Sequence, residues 1–156
     1  MYNDAQREEA GYVYLAALFD GEGTIGLRPQ GTGYYFRLRI EMTDYQTLSR
    51  VACIFGGSVR PGPKRNWRQP TWVWQTARRE SVRRILVKIQ PFARVKRPQV
   101  DLVLDCMCRR RDLIEMDRYF IELWKLKLKK PRNSSNQHGR CMLHINKLRK
   151  KYPNLF

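Results

Sequence analysis

Residues 8–28 read EEAGYVYLAALFDGEGTIGLR, and the fold turns on how that stretch divides. Glu8 and Glu9 suit the positive end of a helix dipole. The segment they open is apolar on most sides up to Phe19, so a helix there must be buried on several sides. The glycines of Asp20-Gly21-Glu22-Gly23 predict its end. Thr24 to Arg28 then reads as a short strand and Pro29 to Gly33 as a turn.

Outward from this stretch the pattern changes period. Residues 34–42, YYFRLRIEM, alternate strictly, with Tyr34, Phe36, Leu38, Ile40 and Met42 on one face and Tyr35, Arg37, Arg39 and Glu41 on the other. That is a half-buried strand with one polar face. Thr43-Asp44 predicts a helix start, residues 45–55 carry apolar residues at helical spacing, and Gly56-Gly57 predicts the stop. Ser58 to Arg60 reads as a short strand, 61–70 as a basic Pro/Gly loop, and TWVWQTA (71–77) as another strand. Helices are expected over 79–89, about 98–110, 112–129 and about 140–150. No internal repeat or low-complexity linker interrupts the chain. Helix, two strands, helix, two strands, helix, then extra helices is an α+β domain with an antiparallel sheet. One domain is expected over 1–156, with a core at about 8–110 and a helical extension at about 111–156.

The 156 residues carry 31 Lys+Arg against 14 Asp+Glu, a net charge of +17, with 42% hydrophobic residues. A disordered basic tail is excluded by that apolar content. The charge is uneven: net −2 over 1–50, +11 over 51–100 and +8 over 101–156. In the middle block Glu80 stands alone among twelve cations, a self-repelling set that calls for a polyanion such as nucleic acid. A membrane surface would want a basic amphipathic helix, whereas much of this charge lies in strand-like and turn-like sequence. No apolar run approaches the roughly 20 residues of a membrane span. The polar N-terminal residues resemble neither a signal nor a transit peptide. With four cysteines spaced unlike a zinc site or a disulfide framework, an intracellular chain is expected, in a bacterial cytoplasm or an organelle matrix.

Leu15-Ala16-Ala17-Leu18-Phe19-Asp20-Gly21-Glu22-Gly23 resembles the L-A-G-L-I-D-A-D-G motif of the homing endonucleases that bear its name. Ala17 replaces the first Gly of the motif and Glu22 takes the place of its second acidic residue. A second match runs from Gln90-Pro91-Phe92 through Val95-Lys96 to Gln99 and Leu102-Val103-Leu104. It resembles the segment that carries the basic active-site residue in the single-motif branch. The resemblance covers most of 8–110, with no specific match beyond about 112. It implies an αββαββα fold with a saddle-shaped antiparallel sheet in the DNA major groove. Because the motif occurs once, it implies a homodimer on a long, near-palindromic double-stranded site. The dimer contact would involve Gly11, Leu15, Ala16, Ala17 and Phe19, the small residues allowing close helix approach.

Each copy would deliver Glu22 into the cleft between subunits. Two carboxylates near one axis repel unless cations sit between them, and Mg²⁺ (or Mn²⁺) with the phosphates resolves that conflict. The family adds the Gly21 carbonyl as a metal ligand, and Ca²⁺ is expected to support binding without cleavage. No other small-molecule cofactor is expected. Lys96 matches the family's cleft lysine. Asp44 matches a polar position near the attacking water, but it equally suits a helix cap. Asp20 matches a position that is mainly structural.

Sequence readout is expected from one sheet face: Thr24, Gly26, Arg28, Tyr35, Arg37, Arg39, Glu41, Ser58, Arg60, Thr71, Val73 and Gln75. Arg pairs with guanine and Glu with cytosine in the major groove. Lys64, Arg65 and Arg68 are expected on phosphates. Trp67, Trp72 and Trp74 are read as packing residues. His138 and His144 receive no role, and the late lysines (125–130, 147–151) read as a solvated or backbone-contacting surface. A site-specific, metal-dependent DNA endonuclease is the leading expectation. An intron RNA maturase and a catalytically silent DNA-binding regulator are the alternatives on the same scaffold.

Overall fold

The computed structural model describes residues 3–64, 69–108, 112–128 and 139–156. Asn3 begins the first helix with a reciprocal cap: its Oδ1 accepts from the Gln6 amide at 2.8 Å and its own amide donates to Gln6 Oε1 at 3.0 Å. Helix α1 then runs over Asp4–Glu22, three residues past the expected end at Phe19. Gly21 lies inside its last turn. Strand β1 (Gly23–Gln30) follows directly. A Cβ on Gly23 would fall 2.2 Å from Phe19 Cδ1 and 2.6 Å from Phe19 Cα. Only glycine lets the chain leave the helix so closely.

Strand β2 (Gly33–Met42) pairs antiparallel with β1 from Gly23↔Ile40 to Gln30↔Gly33. Pro29 therefore belongs to the strand rather than the turn, a place open to proline because β1 lies at the sheet edge. Helix α2 (Tyr45–Phe55) ends at Gly56 and Gly57, both at positive φ. Strands β3 (Ser58–Pro61) and β4 (Trp72–Thr76) complete an antiparallel sheet of order β1-β2-β4-β3. Helices α3 (Arg79–Ile89), α4 (Arg97–Cys108), α5 (Leu113–Leu128) and α6 (Gly139–Lys151) follow, with a 3-10 turn at Pro153–Leu155.

The core lies on one side of the sheet. Phe36, Leu38 and Ile40 of β2 and Ile25 and Leu27 of β1 pack with Leu15 and Phe19 of α1, Leu48 and Val51 of α2 and the buried stripe of α3. Phe120, Ile121 and Leu123 of α5 and Ile145 and Leu148 of α6 join the same cluster. Trp74 is fully buried, its Nε1 donating to the Gly56 carbonyl at 2.8 Å, and Trp72 packs on Tyr45. Trp67, Arg65, Arg68 and His138 lie outside the described residues. Among the described residues no helix is long and apolar enough to cross a membrane.

Lys151 and His144 are not simply solvated, and Lys129 and Lys130 lie outside the described residues. Asp117 of α5 is buried and accepts from Tyr34 Oη at 2.5 Å, Lys151 Nζ at 3.0 Å and Tyr152 Oη at 3.2 Å. His144 Nε2 lies 2.7 Å from the same Tyr34 oxygen. Tyr34 gives its single proton to Asp117, so His144 Nε2 carries the hydrogen of the second bond. This node ties α5 and α6 to the start of β2. Burial, then the bond to Asp117, push the Tyr34 hydroxyl up beyond its ordinary range. Burial alone would raise the Asp117 carboxyl, but the bonds from Tyr34 and Lys151 and the Lys151 charge outweigh it and hold it low. Burial also lowers His144, against the pull of Asp117.

Candidate active site and nucleic-acid interface

The end of α1 is the chemically loaded part of the molecule. Asp20 turns its carboxylate to the loop before α4 and accepts the Arg94 and Lys96 amides, each at 2.8 Å. Lys96 is only 7% exposed. Its ammonium donates to the Phe19 carbonyl and, at 2.9 Å, to the Asp20 carbonyl. A cation on the last carbonyls of a helix meets the negative end of its dipole. That supports the continuation of α1 past its first glycine: the Phe19 carbonyl, which also accepts the Gly23 amide, and the Asp20 carbonyl both gain a partner from a distant loop.

Glu22 follows as the final helical residue and is exposed, with no ion pair or hydrogen bond among the described residues. Its carboxylate and the nearby Gly21 carbonyl are hard oxygen donors at the negative end of a helix, a donor set that fits Mg²⁺ or Mn²⁺. Among the described residues no group of three or more His, Cys, Asp or Glu clusters for a metal.

Asp44 is placed differently. It is the N-cap of α2, with Oδ1 accepting from the Gln46 amide at 2.9 Å and Oδ2 from Thr47 Oγ1 at 2.7 Å. The Thr47 hydroxyl, together with these backbone bonds, holds its carboxyl below the usual range. Of the two roles open to Asp44 in the sequence, the geometry gives it the cap.

Leu15, Ala16 and Phe19, expected at a contact between copies, are instead buried in the chain's own core. Gly11 is half-buried against Phe55. The outward face of α1 presents Val13 (44% exposed), Tyr14 (53%) and Ala17. The sequence could not separate these faces, because α1 is apolar on nearly every side.

The sheet face away from the core is built in rows across the strands: Thr24–Arg39–Gln75–Ser58, Glu41–Val73–Arg60, Gly26–Arg37 and Arg28–Tyr35. Thr71, just before β4, donates from Oγ1 to Glu41 Oε1 at 3.0 Å, while Arg39 donates to Glu41 Oε2 at 2.6 Å. Arg60 donates to the Gln75 side chain at 3.3 Å. Val73 lies on this face but is 1% exposed and stands outside the apolar cluster. Its row neighbours are the long side chains Glu41 and Arg60, and little of Val73, expected among the readout residues, is exposed on this face. Burial, followed by the charges of Arg28, Arg39 and Arg60, lowers the Arg37 guanidinium from its usual value. Crowded cations with, among the described residues of these rows, one carboxylate make a surface complementary to a polyanion. Lys64 is exposed at the start of the loop between β3 and β4.

No family model matches the chain, and no curated protein is similar to it in sequence. Solved structures are similar in fold. The homing endonuclease I-CvuI, solved on a DNA target in 2 mM Mg with the DNA not cleaved, aligns with a TM-score of 0.67 at 20% identity, over 95% of this chain and 98% of that one. The archaeal intron-encoded homing endonuclease I-Vdi141I, complexed with DNA, aligns at 0.59 and 14% identity over 94% and 98%. The LAGLIDADG homing endonuclease I-SmaMI, bound to cleaved DNA, aligns at 0.59 and 16% identity over 93% of this chain and 48% of its own length. The chain has the LAGLIDADG homing endonuclease fold, an α+β architecture that shows a four-stranded antiparallel sheet and six helices among the described residues.

Proposed function

We propose that this chain is a site-specific double-stranded DNA endonuclease that acts as a homodimer and requires divalent metal. The observation that carries the reading is the end of α1: an exposed Glu22 closes a helix whose Phe19 and Asp20 carbonyls hold the buried Lys96, and the helix leads directly into a sheet face crowded with arginines. Two copies paired through Val13, Tyr14 and Ala17 would bring their two Glu22 carboxylates to one cleft. Glu22 and the Gly21 carbonyl would hold Mg²⁺ or Mn²⁺, which supplies an activated water and stabilises the leaving oxygen when bound.

The remaining work falls to the chain itself. Asp20 fixes the loop that carries Lys96. Lys96 holds the helix end in place and puts a positive charge next to where negative charge develops. Arg28, Arg37, Arg39, Arg60, Gln75, Ser58, Thr24 and Tyr35 meet base edges, and Lys64 meets phosphate. Glu41, held by Arg39 and Thr71, orients Arg39.

The test is incubation of the purified chain with a randomised duplex library in Mg²⁺ and in Ca²⁺. Selective cleavage in Mg²⁺, selective binding without cleavage in Ca²⁺, and binding without cleavage by Glu22→Gln are expected. Equal cleavage by wild type and Glu22→Gln, or none by wild type with Mg²⁺ or Mn²⁺, sinks the proposal.

A further inference from the structure

Gly26 sits inside β1 on the outer sheet face and is nevertheless buried, while Thr24 and Arg28 on the same face are half-exposed. The atoms around it explain why. A Cβ built there would meet Lys127 Nζ at 3.4 Å, Arg28 Nε at 3.8 Å and the Arg37 carbonyl at 3.9 Å. Lys127 belongs to the last turn of α5, not to the sheet. Its ammonium reaches onto the arginine-bearing face and lies at contact distance from where a side chain at position 26 would begin. Glycine inside a strand marks a close approach of this kind.

The position of that ammonium decides what it can do. It lies over the middle of the β1–β2 ladder, where Gly26 pairs with Arg37, and beside Arg28. A cation at the rim of a DNA-binding sheet meets phosphates, whereas one over the ladder faces the floor of the major groove. An ammonium has donors only, so its partner there must be an acceptor edge. Guanine O6 and N7 are the acceptor pair that such a donor selects.

We propose that Lys127, supplied by the C-terminal extension, is a specificity-determining residue that reads one base pair of each half-site from the gap above Gly26. This rests on the DNA-binding reading given above. Position 26 contributes by lacking a side chain, and Lys127 contributes the group that lies at contact distance from it.

The experiment is selection of preferred duplexes from a randomised library in Ca²⁺ with wild type, Lys127→Met, Gly26→Thr and the double variant, thermal melting being followed for each. Lys127→Met is expected to relax the preference at one base pair per half-site by about tenfold or more, leaving other positions unchanged. Gly26→Thr, whose side chain displaces the ammonium, is expected to disturb that same base pair. The double variant should add nothing further, because both changes remove one interaction. An affinity loss spread evenly over all positions makes Lys127 a phosphate contact and overturns the proposal, as does an unchanged preference. If wild type itself selects no sequence, the DNA-reading function fails, and the proposal falls with it.

Discussion

Asp20 and Lys96 hold each other twice: the Lys96 amide donates to the Asp20 carboxylate at 2.8 Å, and the Lys96 ammonium donates back to the Asp20 carbonyl at 2.9 Å. The side chain of each residue thus binds the backbone of the other. Asp20→Ala leaves the Arg94 and Lys96 amides without their acceptor, at a cost of about 1–3 kcal/mol. A melting temperature lower by several degrees is expected, with Asp20→Asn, which keeps an acceptor oxygen, closer to wild type. An unchanged melting temperature in Asp20→Ala would show that this clasp contributes nothing.

Lys96→Met keeps the aliphatic stem and removes the charge from the end of α1. Cleavage is expected to fall by about 10²–10³, while DNA affinity in Ca²⁺ stays within a few-fold. Single-turnover cleavage and Ca²⁺ binding curves separate the two. A parallel loss of both would make Lys96 a DNA-affinity residue instead.

The Tyr34–Asp117–His144 node sets a pH response. Asp117 is held low in the folded chain, so its stabilisation is present above the unfolded value of about 3.9 and is lost as pH falls through the folded value. His144 is also low in the folded chain. The unfolded state therefore takes up its proton first as pH falls below about 6.5, which again favours unfolding. Urea midpoints should decline from pH 7 to 5 in wild type and decline less in His144→Gln. Identical slopes would remove His144 from the response.

Ala17→Glu places a carboxylate on the outward face of α1, outside the monomer core. The variant should melt near wild type, sediment as a single chain and lose cleavage. A variant that still sediments as a dimer would move the contact to another surface.

Glu41→Gln removes, among the described residues, the carboxylate that stands in the strand rows of the arginine-bearing face. Affinity for unrelated DNA should rise and the salt dependence should steepen by about one unit of slope. Selectivity should drop, because Arg39 loses the partner that aims it. Affinity titrations across a salt series read both effects.

Local signals were legible where they agreed with the tertiary structure. Asp44 and Gly56-Gly57 bracket α2 in the sequence as they do in space, and strict alternation assigned the faces of β2. The end of α1 was not legible, because the group that carries it past Gly21 is Lys96, far along the chain. Period-2 counting put Val73 on the outer face but could not show that it is buried there. Lys127 looked like one more surface cation, since nothing local states that α5 delivers it to the sheet. The motif pointed to Glu22, and the fold agrees with that of the endonucleases it resembles. The partners of Asp20 and Tyr34, 74 or more residues away, belong to tertiary structure alone.

The anchoring of Tyr34 to Asp117, Lys151 and Tyr152 has a bearing on recombination. A hairpin grafted from a related chain to change target preference would arrive without its matching α5 and α6. An exchange cassette for this scaffold should therefore carry residues 23–42 and 113–156 together, as two discontinuous pieces of one heritable unit.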